Sequence, residues 1–143
     1  LIINKKYRTT IAHLVARNNC LPPDFDRWYL RSKSGWTVAH EAAKYGRLSS
    51  DFNQWKLTDN YGRTVAHIVV KYSHLPPDFN RWDLANKNKW TVAHEGAIYG
   101  KLPPDFDQWD LTDKYGKTVA QVAYKHNHLP PNFNRWDLIN KKN

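Results

Sequence analysis

The chain has 143 residues, 41% hydrophobic, 24% charged and 14% aromatic, which is the composition of a folded unit rather than a disordered segment; no run approaches the roughly 18 consecutive apolar residues of a membrane helix. With 22 Lys and Arg against 13 Asp and Glu, the formal net charge is +9, which calls for an anionic partner: an acidic protein, nucleic acid or an anionic surface. The single cysteine, Cys20, excludes an intramolecular disulfide and, with no signal-peptide pattern at the start, leads us to expect a reducing, cytoplasmic setting. The chain contains no methionine, so we expect a piece of a longer protein.

An internal repeat organises the whole sequence. Thr10-Ile11-Ala12-His13 returns as TVAH at Thr37, Thr64 and Thr91 and as TVAQ at Thr118, always 27 residues on. Trp28, Trp55, Trp82, Trp109 and Trp136 keep that step, as do Phe25, Phe52, Phe79, Phe106 and Phe133. A second rhythm doubles the first: the units opening at Thr37 and Thr91 carry Trp before the Thr and Glu after the His, whereas those opening at Thr10, Thr64 and Thr118 carry an aliphatic residue in the place of that Glu.

Within one repeat the elements follow from local chemistry. Thr37 is an N-cap, Val38 to Tyr45 is predicted as a short helix, and Gly46 supplies the left-handed residue that ends it. Leu57 to Gly62 is loop and turn chemistry leading to the next Thr. After Leu75, Pro77 suits a first helical turn, Asp78 suits a helix dipole, and Phe79 and Trp82 stand at i and i+3, which predicts a second, very short helix. Asp24, Asp51, Asp78 and Asp105 would each start such a helix. One repeat buries too little apolar surface to offset its own ordering entropy, so the units are expected to stack as a solenoid around a continuous core.

The run D-x-x-G-x-T-V-A-H-x-A-A-x-x-G-x-L, present with substitutions from Asp59 to Leu75 and from Asp113 to Leu129, resembles the opening of an ankyrin repeat, with TVAH in place of TPLH. The second half of each unit departs, carrying LPPDFxxW in a repeat of 27 residues instead of about 33. The resemblance implies an all-α, ankyrin-like helix-loop-helix solenoid of about five repeats, read as one repeat domain over residues 1–143, and a function in protein binding. The period also falls within the range of leucine-rich repeats, but each unit has only one Leu after the Trp where that fold needs several to line a strand. Leu1 and Asn143 both fall within the inter-repeat loop, so we expect either that the parent protein is longer or that the terminal faces near Phe133 and Trp136 pack against another copy.

No catalytic constellation stands out. His13, His40, His67 and His94 recur one per repeat, and neighbours about 10 Å apart cannot converge on one metal ion at about 2 Å; they are expected to bond their own Thr and nearby backbone, with Gln121 in the same slot. His126 and His128 read as a solvated turn, and Cys20 as an exposed surface slot. No P-loop, dinucleotide-binding or nucleophile-elbow pattern occurs. The chain is therefore expected not to be an enzyme and to need no cofactor or metal.

Function then falls to columns of equivalent positions. The site before each Thr reads Thr9, Trp36, Arg63, Trp90 and Lys117; the helix column reads Arg17, Lys44, Lys71, Ile98 and Lys125; a loop column reads Lys6, Lys33, Asn60, Lys87 and Lys114; and Arg27, Arg81 and Arg135 add a set at double spacing. We expect partner binding through Trp36, Arg63, Trp90, Lys117, Arg17, Lys44, Lys71 and Lys125, with an acidic or extended protein as the favoured partner. Sequence-tolerant nucleic-acid binding through the interleaved Trp and Lys/Arg columns is the alternative. Packing of Trp36 and Trp90 over Tyr45 and Tyr99 is the structural reading of the same rings. The expected location is the cytoplasm, that of a host cell if the parent is a bacterial effector.

Overall fold

The computed structural model describes residues 2–4 and 9–140; Lys6 and the two terminal positions, Leu1 and Asn143, lie outside them. Two strands, β1 (Ile2–Asn4) and β2 (Thr9–Thr10), pair antiparallel and are followed by five helices: α1 (Ile11–Arg17), α2 (Val38–Lys44), α3 (Val65–Tyr72), α4 (Val92–Tyr99) and α5 (Val119–Lys125). The chain forms two compact units, Leu1–Ser73 and His74–Asn143. In the first, α1 packs on α2 and α2 on α3; in the second, α4 packs on α5. This is a helical repeat, and no helix among the described residues is long and apolar enough to cross a membrane.

Helices of seven or eight residues are too short to be stable by propensity alone, and each is held at its N-terminus by hydrogen bonds from outside the helical ladder. The cap threonine accepts the N–H of the residue three on, while that residue's side chain reaches back to the cap, a reciprocal capping box at all five helices. The next free donors are met from the preceding segment: Val38 N–H donates to Leu30 O and Ala39 N–H to Trp28 O, and Val92 and Ala93 do the same with Leu84 and Trp82. Single antiparallel bridges, Arg31 to Thr37, Thr58 to Thr64, Ala85 to Thr91 and Thr112 to Thr118, hold that segment in place. The loop is thus a minimal hairpin folded onto the helix start. Its turn needs a positive φ, which glycine supplies at Gly35, Gly62 and Gly116 and which Lys89 adopts at +56°.

At the other end of the helix, Gly46 and Gly100 take the left-handed conformation as expected, and Asn19 and Asn127 take it in the equivalent slot. The fully buried apolar residues of α2, Val38, Ala39 and Ala42, are small, which lets neighbouring helices approach closely.

The predicted second helix is not formed. From Leu75 onward the backbone makes two successive turns, closed by Phe79 N–H to Pro76 O and by Leu84 N–H to Arg81 O, and the other repeats do the same; one short 3-10 turn, Trp136–Leu138, closes the series. A segment of this length would fix its backbone for one or two hydrogen bonds, which is the unfavourable nucleation step of a helix without its propagation. The helix-dipole role expected for Asp24, Asp51, Asp78 and Asp105 therefore lapses, and these residues are exposed.

An aromatic ladder takes the place of that helix. In the first unit Phe25, Trp28, Phe52 and Trp55 meet edge to face in succession, with ring centroids 5.0, 5.4 and 5.0 Å apart. In the second, Phe79, Trp82, Phe106, Trp109, Phe133 and Trp136 continue the pattern at 5.0 to 5.9 Å. Trp28, Trp82 and Trp109 each touch the Phe of their own repeat and that of the next, so within each unit the ladder links repeats as the helices do. Its last rung, Trp136, is 51% exposed, against 7% for Trp28 and Trp82.

Candidate functional site

The first unit carries an open groove of about 840 Å³ between successive loops and helices, lined among others by Arg17, Lys33, Trp36, Lys44, Arg63 and Tyr72. Trp36, half-buried, lies along its wall with its ring against that of His40 at 4.9 Å. It does not lie over Tyr45, whose ring is instead approached by Arg17 and Lys44 at 5.4 and 5.7 Å.

Two carboxylates fix this arrangement. Glu41, on α2 and buried, accepts the Trp36 indole N–H on Oε2 at 2.7 Å and the Arg17 Nε–H on Oε1 at 2.9 Å. The Glu41 hydrogen bond and charge raise the Arg17 pKa further, so this guanidinium is a permanent cation. Asp59, buried in the loop, accepts the backbone N–H groups of Tyr61 and Arg63 on Oδ1, both at 2.9 Å, and the Arg63 Nε–H on Oδ2 at 2.7 Å. The Arg63 guanidinium then lies over both Trp36 and Tyr61, at 5.5 and 5.3 Å. Arg17 and Arg63 are thus already paired within the protein, whereas Lys33 and Lys44 form no ion pair among the described residues.

The second unit has a groove of about 620 Å³, lined by Trp90, Ile98, Lys117, Val122, Tyr124, Lys125, Ile139 and their neighbours. Trp90 lies on His94 at 4.7 Å and donates its indole N–H to Glu95 Oε2 at 2.7 Å, repeating the Trp36 and Glu41 arrangement. Asp113 again holds the loop through the N–H groups of Tyr115 and Lys117. Here, however, Lys replaces Arg at the following position, and Lys117 makes no ion pair with it.

Of the residues singled out from sequence, Arg17, Trp36, Lys44 and Arg63 share the first groove, and Trp90, Lys117 and Lys125 the second. Lys71 lines neither; its ammonium lies 5.3 Å above the ring of Tyr72, which does line the first. Arg81 and Arg135 are taken out of any free cationic stripe by Asp83 and Asp137, two residues on, at 3.0 and 3.2 Å. The sequence reading missed Glu41, Glu95, Asp59 and Asp113 as the groups that set the Trp and cation positions. A signal for the first pair exists: Glu follows the His only in the repeats that have Trp before the Thr. It also missed a set of exposed tyrosines with cations over their rings, Tyr61 under Arg63, Tyr72 under Lys71 and Tyr115 under Lys114.

His13, His40 and His94 are occupied on both ring nitrogens. His40 Nδ1 accepts from Thr37, and Nε2 donates to Arg63 O at 2.9 Å; His13 and His94 do the same with Trp36 O and Lys117 O. Burial lowers the pKa of His94 and brings that of His40 down to about 4. Gln121 fills the same slot without a titratable group: it accepts the Thr118 N–H as the histidines do, and donates at 3.4 Å to Ile139 O, 18 residues on instead of 23. Cys20 is exposed; His126 is exposed as well, and His128 reaches back to donate its Nδ1–H to the Ala97 carbonyl oxygen at 2.9 Å.

No protein-family model matches the chain, and no curated protein matches it in sequence.

Proposed function

We propose that the chain is a protein-interaction scaffold that holds an extended, acidic segment of a partner protein in its Trp-walled, lysine-rimmed grooves. The observation that carries this reading is the pairing pattern. Acids of the chain immobilise the Trp indoles and the arginines beside Trp36, while the lysines at the groove edges have no acid partner among the described residues. Pre-positioned rings supply apolar contact at low entropic cost, and unpaired ammonium groups supply charge complementarity. The threonine capping box, with His as its reciprocal partner, supports an ankyrin-like ancestry for the first half of each repeat, and with it a non-enzymatic role in a cytoplasmic setting.

Titration of the whole chain with fluorescein-labelled acidic peptides containing interspersed leucines tests this reading. Binding is expected for the acidic peptides and not for lysine-substituted counterparts, with a loss of about tenfold or more in a Trp36→Ala, Trp90→Ala variant. Equal affinity for both peptides, or no effect of the two substitutions, would contradict it.

One observation favours a second reading, sequence-tolerant binding of single-stranded nucleic acid. Tyr61 and Tyr115 are 66% and 69% exposed, with Arg63 and Lys114 over their rings, and exposed rings beside cations can stack bases and neutralise phosphates. Steep loss of affinity with salt would mark that mode.

A further inference from the structure

We infer that the groove of the second unit is a discrete anchor pocket for one bulky apolar side chain flanked by carboxylates on an extended peptide, an inference that rests on the scaffold reading and assigns it a primary site. The two grooves are built on the same plan and differ in chemistry. The helix position that carries Lys44 in the first groove carries Ile98 in the second. Ile98 and Ile139 are partly exposed and Val122 is buried, so together with the half-buried Trp90 ring they give this groove an apolar lining.

The charges differ in the same direction. In the first groove Arg63 is held by Asp59 through two contacts of 2.7 Å, and Arg17 is held by Glu41. In the second, Asp113 accepts two backbone N–H groups and no ammonium, and the Oε2 of Glu95 is taken by Trp90. Lys117 and Lys125 are both exposed at the rim and form no ion pair among the described residues. A volume of about 620 Å³ is within the range of pockets that accept a few side chains. An apolar group seated on Trp90 would displace water from beside the two ammonium groups and strengthen their attraction for adjacent carboxylates. Aliphatic lining and paired lysines therefore select the same ligand: acid, bulky apolar residue, acid.

The experiment is a fluorescence-anisotropy titration of the full chain with a short fluorescein-labelled peptide of aspartates and glutamates around one central leucine, at near-physiological salt. Lys117→Glu with Lys125→Glu should weaken binding by at least about tenfold, as should Ile98→Lys, which gives this groove the charge of the first. A charge-matched variant, Arg47→Glu with Lys56→Glu, both exposed and outside either groove, should change it by less than about threefold, the effect of net charge alone. Replacing the peptide's leucine by serine should also cost about tenfold. Circular dichroism of each variant confirms the fold. Equal losses in the rim variant and the charge-matched variant, or indifference to the leucine, would overturn the anchor pocket while leaving acidic-peptide binding intact. Loss on Lys44→Glu but not on Lys117→Glu with Lys125→Glu would move the site to the first groove and overturn the anchor pocket in the same way. Absence of binding by the unsubstituted chain would overturn both this inference and the scaffold reading.

Discussion

His40 and Arg63 are tied together across a repeat boundary: the imidazole Nε2–H donates to the Arg63 carbonyl oxygen at 2.9 Å while Nδ1 accepts from the cap threonine, Thr37. One ring therefore caps its own helix and fastens the loop of the next repeat. The link requires the neutral imidazole, because a proton on Nδ1 would face the Thr37 N–H donor.

This makes stability acid-sensitive with a defined sign. Burial lowers the pKa of His40 from 6.5 to about 4, so between these values the unfolded chain binds a proton that the folded chain does not. The stability is fully present above pH 6.5 and falls by about 3 kcal/mol as the pH drops to 4. Gln121 shows that glutamine can occupy this slot. His40→Gln is expected to fold and to flatten the decline in urea midpoint between pH 7 and pH 5; an unchanged pH profile would show that this ring is not its source.

The repeat length, the capped helix and its glycine terminus are legible in the sequence because each depends on nearest neighbours: Thr37 with His40, Gly46 with the helix it ends. The Phe79 and Trp82 segment reads as a helix and is not one, because i, i+3 spacing places two rings on one side of a pair of turns equally well. The stacking partner of Trp82, Phe106, lies in the next repeat, beyond any local pattern. The groove residues are visible in the sequence as columns. What decides their chemistry, however, is whether each cation is paired: Arg63 is held by Asp59, and Lys117 is free of Asp113, although the two loops have the same local sequence plan.

Lys89 sits at φ +56° in a turn position that glycine occupies at Gly35, Gly62 and Gly116. A side chain in the left-handed region costs roughly 1 kcal/mol, partly offset by the greater unfolded-state freedom of glycine. Lys89→Gly is expected to raise stability by about 0.5 kcal/mol, read as a higher denaturation midpoint with unchanged slope; a lower midpoint would refute the strain.

Trp28 meets Phe52 edge to face at 5.4 Å, joining two repeats. Phe52→Leu and Trp28→Leu should each cost on the order of 2 kcal/mol, and a double-mutant cycle should return a coupling of about 0.5 to 1.5 kcal/mol. Simple additivity would mean that the ladder is only filled volume.

Glu41 is the common acceptor of Trp36 and Arg17. Because the Arg17 side chain is 45% exposed, water compensates much of its loss, and Glu41→Ala is expected to cost about 1 to 2 kcal/mol, mainly from the stranded indole N–H. Glu41→Gln, which retains an acceptor for that N–H, should cost less. Trp36 fluorescence would report the released ring; the same emission in both variants would contradict its fixation by this carboxylate.

The scaffold account is tested most directly by competing an acidic, leucine-containing peptide against a single-stranded oligonucleotide for the whole chain, from low to near-physiological salt. We predict that the peptide stays bound at near-physiological salt while any oligonucleotide complex dissociates steeply, because counterion release governs only the latter in full. An oligonucleotide that displaces the peptide at near-physiological salt, with affinity weakened by Tyr61→Ala and Tyr115→Ala, would contradict the scaffold reading and establish the chain as a nucleic-acid binder.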